Sequence, residues 1–148
     1  MVANEMFLEF DSTSQNESFA RMVVAAFVAR LNPTIEEVAD IKTAVSEAVT
    51  NSIIHGYENE EGKIQITCKI SEQDFIVEIQ DQGVGIENIE KAREPLYTTR
   101  PEWERSGMGF VFMETFMDSL EIESKISEGT KIRMKKKIGG DKRRSGDE

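Results

Sequence analysis

The sequence holds a single cysteine, so no internal disulfide can form. Cys68 lies inside ITCKI, where it reads as a buried strand residue and not as a nucleophile. No run of about 18 apolar residues occurs, which excludes a membrane-spanning helix. The opening MVANEMFLEF carries acids where a secretory leader needs a basic start and a long apolar core. A cytoplasmic location with no membrane role is the expectation. Internal repeats and low-complexity segments are absent. Basic residues are scarce: 18 Lys and Arg stand against 28 Asp and Glu, for a net charge of −10. An acidic surface repels phosphate backbones, so direct nucleic-acid binding is not expected.

The chain has 148 residues, 39% hydrophobic and 31% charged, which suits one globular domain. The expected division is a single domain over residues 1–138 and a disordered charged tail over 139–148. The last stretch, KKKIGGDKRRSGDE, is basic at first, but Gly139-Gly140 breaks structure and nothing apolar follows. MFLEF (6–10) alternates as a strand does. Ser14 or Asn16 is the expected cap of a first helix that stops before Asn32-Pro33. Thr34 caps a second helix, with Glu37 completing a capping box. Along it Val38, Ile41, Val45, Val49 and Ser52 form one stripe, and Gly56 ends it.

KIQITCKI (63–70) and DFIVEIQD (74–81) read as a hairpin. A short helix is expected within 86–93. Residues 94–107 read as a long loop, of the kind that is usually functional. A helix over FVFMETFMDSL follows, then a hairpin of LEIESKI (120–126) and TKIRMKKKI (130–138). This order predicts an α+β two-layer sandwich, a mixed, largely antiparallel sheet covered on one face by helices.

Glu47, Asn51 and His55 recur every four residues in SEAVTNSIIHGY (46–57). Spacing alone favours a solvated helix face. Against that, Asn disfavours mid-helix positions, and Ala44, Ala48 and Ile54 flank the stripe. A carboxylate and an amide oxygen one turn apart suit a hard cation such as Mg²⁺, with Glu47 able to accept a proton. In IQDQGVGI (79–86) Asp81 ends a strand and glycines follow. The carboxylate could accept from an exocyclic amine, although a tight turn explains the pattern as well. ERSGMGF (104–110) opens a helix with small residues, which leaves backbone N–H groups for phosphate. It is neither a Walker A loop nor a dinucleotide fingerprint. Gly129-Thr130 on its own reads as a hairpin turn.

The order E-x-x-x-N, D-x-G-x-G, G-x-G, G-T resembles the ATP-binding domain of gyrase, Hsp90, histidine kinases and MutL (the GHKL or Bergerat fold). NEMFLEF, SQNESFAR, IKTAVSEAVTNSIIHGY, KAREPLYTTRPE and ERSGMGF further resemble the anti-sigma-F family of spore-forming bacteria, serine kinases of the sporulation switch. The likeness spans roughly residues 4–137.

The resemblance implies ATP or ADP and Mg²⁺ as cofactors. It implies Glu47 as general base and Asn51 as nucleotide and Mg²⁺ ligand. Asp81, Gly83, Gly85 and Thr130 would hold adenine. Thr98, Thr99, Ser106, Gly107, Met108, Gly109 and Phe110 would surround the triphosphate. Arg21, Glu104 and Arg105 would contact partners: a sigma-F-like sigma factor, and an anti-anti-sigma factor phosphorylated on serine. A homodimer is implied too. One departure is visible, DQG at 81–83 where relatives carry DEG. A stress-response anti-sigma kinase, a non-catalytic ATP-binding anti-sigma module and a detached histidine-kinase ATPase domain remain the alternatives.

Overall fold

Two-residue alternation builds the sheet. In β2 (Lys63–Ser71) Ile64, Ile66, Cys68 and Ile70 are buried, and the residues between them turn the other way. β3 (Asp74–Asp81) repeats the pattern with Phe75, Val77 and Ile79. The computed structural model describes residues 2–95, 97 and 108–139. It adds β1 (Asn4–Asp11), β4 (Ser119–Lys125) and β5 (Gly129–Lys137) in the order β1-β2-β3-β5-β4. Each neighbouring pair is antiparallel, so the described sheet is antiparallel throughout and not mixed.

One face carries the helices. α1 (Ser14–Val28) continues into a 3-10 turn, Ala29–Leu31, and left-handed Asn32 (φ 53°) ends it before Pro33. Its N-cap is Thr13, not Ser14 or Asn16; Asn16 instead donates from Nδ2 to the Asp11 carbonyl at 2.9 Å. α2 (Ile35–Asn51) has the expected capping box. Thr34 Oγ1 accepts from Glu37 N at 3.0 Å, and Glu37 Oε1 accepts from Thr34 N at 2.8 Å. α2 packs between α1 and α4 (Gly109–Phe116). Its Ile41, Ala44, Val45, Ala48 and Val49 are fully buried against a sheet face that includes Ile64, Ile66, Ile132 and Met134. Each large aliphatic side chain buried this way contributes about 1.5–3 kcal/mol.

The opposite face is uncovered by helices among the described residues and is laced with ion pairs. Arg133 reaches Glu121 at 3.3 Å, and Lys131 reaches Glu78 at 3.7 Å. Such half-exposed pairs are worth about 0–1 kcal/mol each. Their main effect is to keep that face wetted.

The connection after β3 sets up the site. The chain leaves β3, forms α3 (Ile89–Ala92) and α4, enters β4 at the sheet edge, and returns through β5 between β4 and β3. The start of β5 therefore lies beside the end of β3, with Thr130 opposite Asp81. At the far end Lys136, opposite Phe75, is buried. Its Nζ donates to the Phe116 carbonyl at 2.7 Å and stands 3.8 Å from Asp40 of α2. The C-terminus of α4 and the early turns of α2 thus share the far end. The first turn of α4 and the last turn of α2 share the Asp81 end. α4 is shorter than the expected FVFMETFMDSL helix. Met117 is already extended, and Asp118 joins the sheet by donating to the Lys135 carbonyl at 2.8 Å.

Candidate functional site

Asp81 takes the next inward position after Phe75, Val77 and Ile79. The strand pattern thus places a carboxylate where a core residue would stand, 1% exposed. Its Oδ1 accepts from Gly83 N at 2.9 Å. Its Oδ2 has no hydrogen-bond partner among the described residues, and neither has the buried Ser52 Oγ. Burial pushes the Asp81 pKa up; the Gly83 N–H, the nearby Ser52 hydroxyl and the Thr130 backbone N–H pull against it. An unpaired buried acceptor is costly, and natural proteins keep few of them. Even with the Ser52 hydroxyl close by, the carboxylate keeps lone pairs for a donor from outside the chain.

Backbone closes round this carboxylate. α2 runs into a π-turn, Ser52–Gly56, in which Tyr57 N reaches the Ser52 carbonyl at 2.8 Å. Widened turns of this kind are frequent at functional sites. The π-turn packs against β3 and β5 and brings Gly56 under Asp81. A Cβ on Gly56 would lie 2.9 Å from Asp81 Cγ and Oδ2. A Cβ on Gly83 would lie 2.1 Å from the Gly56 carbonyl oxygen, which accepts from Val84 N at 2.9 Å. Gly129 has φ +87°, and a Cβ there would meet the Asp81 carbonyl oxygen at 2.1 Å. Gly85 abuts the Lys125 backbone. Gly56 was expected to end a helix. It does close the helical segment, but the demand for glycine comes from Asp81.

Two hydroxyls brace the turn after β3. Tyr57 Oη accepts from Gln82 N at 2.7 Å and donates to the Lys63 carbonyl at 2.6 Å. Ser124 Oγ accepts from Ile86 N at 2.7 Å, donates to the Gly129 carbonyl at 3.0 Å, and lies 2.8 Å from Thr130 Oγ1.

Asn51 is the last residue of α2 and Glu47 lies one turn earlier; both are half-buried at the Asp81 end. Gly109 opens α4 at the same end, with Met108 as N-cap and no side-chain cap, and Phe110 is buried. Arg21 crosses from α1 to α2, where its Nη1 donates to Ser46 Oγ at 3.5 Å, beside Glu47; it also pairs with Glu17 at 3.6 Å. The structure thus gathers Glu47, Asn51, Asp81, Gly83, Gly85, Met108, Gly109, Phe110 and Thr130 at one end of the domain. Thr98, Thr99, Glu104, Arg105, Ser106 and Gly107 lie outside the described residues. His55 falls in the π-turn, where four residues no longer make one turn of the α2 spiral.

Sequence reasoning passed over Ser52 as a site residue, together with Gly56, Tyr57 and Ser124. Ser52 sat in an apolar stripe, and the other three depend on contacts distant in sequence.

The Histidine kinase-like ATPase domain family matches residues 10–136 of the chain. The "Anti-sigma F factor" of Clostridium kluyveri (strain ATCC 8527) is 61% identical over 136 residues, covering 92% of this chain and 96% of that protein. The "Anti-sigma F factor" of Clostridium botulinum (strain Eklund 17B) is 63% identical over 139 residues, with 93% and 97% covered. The chain belongs to the anti-sigma F factor family. A crystal structure of the RsbU and RsbW domains of a Mycobacterium tuberculosis protein superposes with a TM-score of 0.64 over 92% of this chain and 32% of the other. At 17% identity it speaks for the fold alone. The order of motifs along the sequence and the antiparallel sheet agree with this membership.

Proposed function

We propose that the chain is an ATP-dependent anti-sigma factor that also phosphorylates a serine of an anti-anti-sigma protein. The observation that carries the nucleotide reading is the buried, unpartnered Asp81 Oδ2 within a wall of glycine backbone. Such an oxygen fits an exocyclic amino donor, as on adenine, and Gly83, Gly85 and Thr130 line the approach. The first turn of α4, at Met108, Gly109 and Phe110, where the N-cap Met108 makes no side-chain cap, fits phosphate oxygens through its N–H groups and dipole. Thr98, Thr99, Ser106 and Gly107 are proposed to complete that enclosure.

Asn51 and Glu47 fit a Mg²⁺ site in which phosphate and water supply most ligands. No cluster of three or more His, Cys, Asp or Glu suited to a metal occurs among the described residues. Bound Mg²⁺ supplies charge neutralisation on the transferring phosphoryl group. Glu47 takes the proton from the acceptor serine hydroxyl, and Asn51 fixes the metal. Positioning and electrostatics supply most of the remaining rate.

Arg21, Glu104 and Arg105 are proposed to contact the partners. The partners are a sigma-F-like sigma factor and the serine-bearing regulator, met by a homodimer in the cytoplasm. A net charge of −10 assists encounter with a DNA-binding protein's basic surface. The test is transfer of label from γ-³²P-ATP to the anti-anti-sigma protein. The wild type labels it, and Glu47→Ala abolishes labelling while keeping ADP binding. Normal labelling by Glu47→Ala refutes the assignment of the base. Absence of labelling by the wild type, with the sigma factor still retained on a column carrying ATP, leaves a binding module.

A further inference from the structure

Ser124 is absent from the motif of the site, yet it settles which way a proton points inside it. A serine hydroxyl has one proton and two lone pairs. One lone pair of Ser124 is taken by Ile86 N–H at 2.7 Å. The proton is directed to the Gly129 carbonyl at 3.0 Å, and a carbonyl can only accept. The second lone pair is left for Thr130 Oγ1, 2.8 Å away, which must then be the donor. Thr130 has only one hydroxyl proton, and this contact consumes it. Towards the site, Thr130 Oγ1 can only accept.

The neighbouring group is of the same kind. Asp81 is the cross-strand partner of Thr130. Its Oδ1 is held by Gly83 N–H, and its Oδ2 is buried and open. The one other hydroxyl close by, that of Ser52, has the Asp81 carboxylate as the acceptor for its proton, so the wall offers two acceptors side by side and no side-chain proton left over.

We infer that Ser124 is a specificity-determining residue: by consuming the Thr130 proton it makes the base wall acceptor-only, so that the site takes a ring amino group and rejects a ring oxo group. It acts through Thr130 and is a positioning residue, not a catalytic one. The inference rests on the adenine-nucleotide reading above. Ser124→Ala releases Thr130, whose hydroxyl can then rotate and donate to an oxo group.

The test uses full-length protein and calorimetric titration with ADP and with IDP, which replaces the 6-amino group by 6-oxo and adds a proton at N1; the N1–H is common to the wild-type and variant titrations, so the change in ratio reports position 6. The readout is the ratio of the two Kd values. Wild type is expected to prefer ADP strongly. Ser124→Ala should lower that preference by about tenfold, the scale of one hydrogen bond gained or lost in a buried site. Ser124→Thr keeps a hydroxyl and should restore it. If Ser124→Ala does not fold, Thr130→Val carries the test. An acceptor-only Thr130 can hold a 6-amino group but not a 6-oxo group, so Thr130→Val should weaken ADP more than IDP. A wild-type ratio in Ser124→Ala overturns the inference, as does equal weakening of both ligands in Thr130→Val. Failure of the wild type to bind either nucleotide overturns the nucleotide reading itself.

Discussion

Replacing Gly56 by alanine tests the link between the π-turn and the carboxylate. The new Cβ would lie 2.9 Å from Asp81 Cγ and Oδ2 and 3.0 Å from Oδ1, well inside ordinary contact. Asp81 is 1% exposed and tied at Oδ1 to Gly83 N–H, so it moves only by loosening that bond. A hydrogen bond to a charged group is worth about 1.5–3 kcal/mol. Alanine returns about 1 kcal/mol of helical preference over glycine. The net loss of stability is then about 0.5–2 kcal/mol, a fall in Tm of roughly 2–6 °C for a chain of this size. The loss in binding is larger in proportion. Displacing Oδ2 forfeits the contact proposed with a base amino group, about ten- to a hundredfold in Kd. Thermal melting and calorimetry with ADP measure both. A folded Gly56→Ala protein that binds ADP as tightly as wild type refutes the reasoning. Gly83→Ala should melt lower still, because its Cβ would meet the Gly56 carbonyl oxygen at 2.1 Å, and backbone cannot swing aside.

Three further outcomes follow from the same contacts. Burial raises the Asp81 pKa, so its ionised form opposes folding: the group's contribution to stability is fully present below its unfolded pKa and is lost as pH rises through the folded value. Wild type should therefore gain stability relative to Asp81→Asn as pH falls through the carboxylate range, in paired denaturant melts, while ADP binding weakens as Asp81 protonates. Tyr57→Phe removes the bonds to Gln82 N–H and the Lys63 carbonyl, both on exposed residues that water can reach. It should cost about 0.5–1.5 kcal/mol in urea unfolding and weaken ADP binding; unchanged ADP affinity would show that Tyr57 does not brace the site. Lys136→Met removes the donor to Phe116 and leaves Asp40 without its ion pair, with a cost of about 1–3 kcal/mol and a larger KM for ATP if α4 is held from its far end.

Much of this fold is legible in local sequence, and the reasons differ by element. The α2 start was plain because Thr34 and Glu37 supply both halves of the capping box within four residues. The inner strands were plain because β2 and β3 alternate without interruption. The end of α4 was not, because Asp118 pairs with Lys135 of a strand that comes later, and no helical period reports that. The cap of α1, Thr13, lies one position before the expected Ser14 and three before Asn16, and it makes no side-chain bond that would mark it.

The site divides in the same way. Asp81 and Asn51 stand out as polar residues inside apolar patterns. Gly129-Thr130 alone reads as a turn, and it is one, but its left-handed glycine also lets β5 pass against the Asp81 carbonyl. Ser52 fits an apolar stripe because it is buried, and only the fold shows that its hydroxyl faces a carboxylate. Ser124 lies in LEIESKI, 43 positions from Asp81 by numbering, and nothing near it in sequence announces its three oxygen and nitrogen neighbours.

The most direct measurement compares ADP binding by wild type and Asp81→Asn at neutral pH. Asparagine keeps the size and replaces one carboxylate oxygen by a donor. The account predicts clear binding by wild type and at least about a tenfold loss in the variant, with both proteins folded. Equal affinity would contradict it, since the base would then be held somewhere other than at this buried acid.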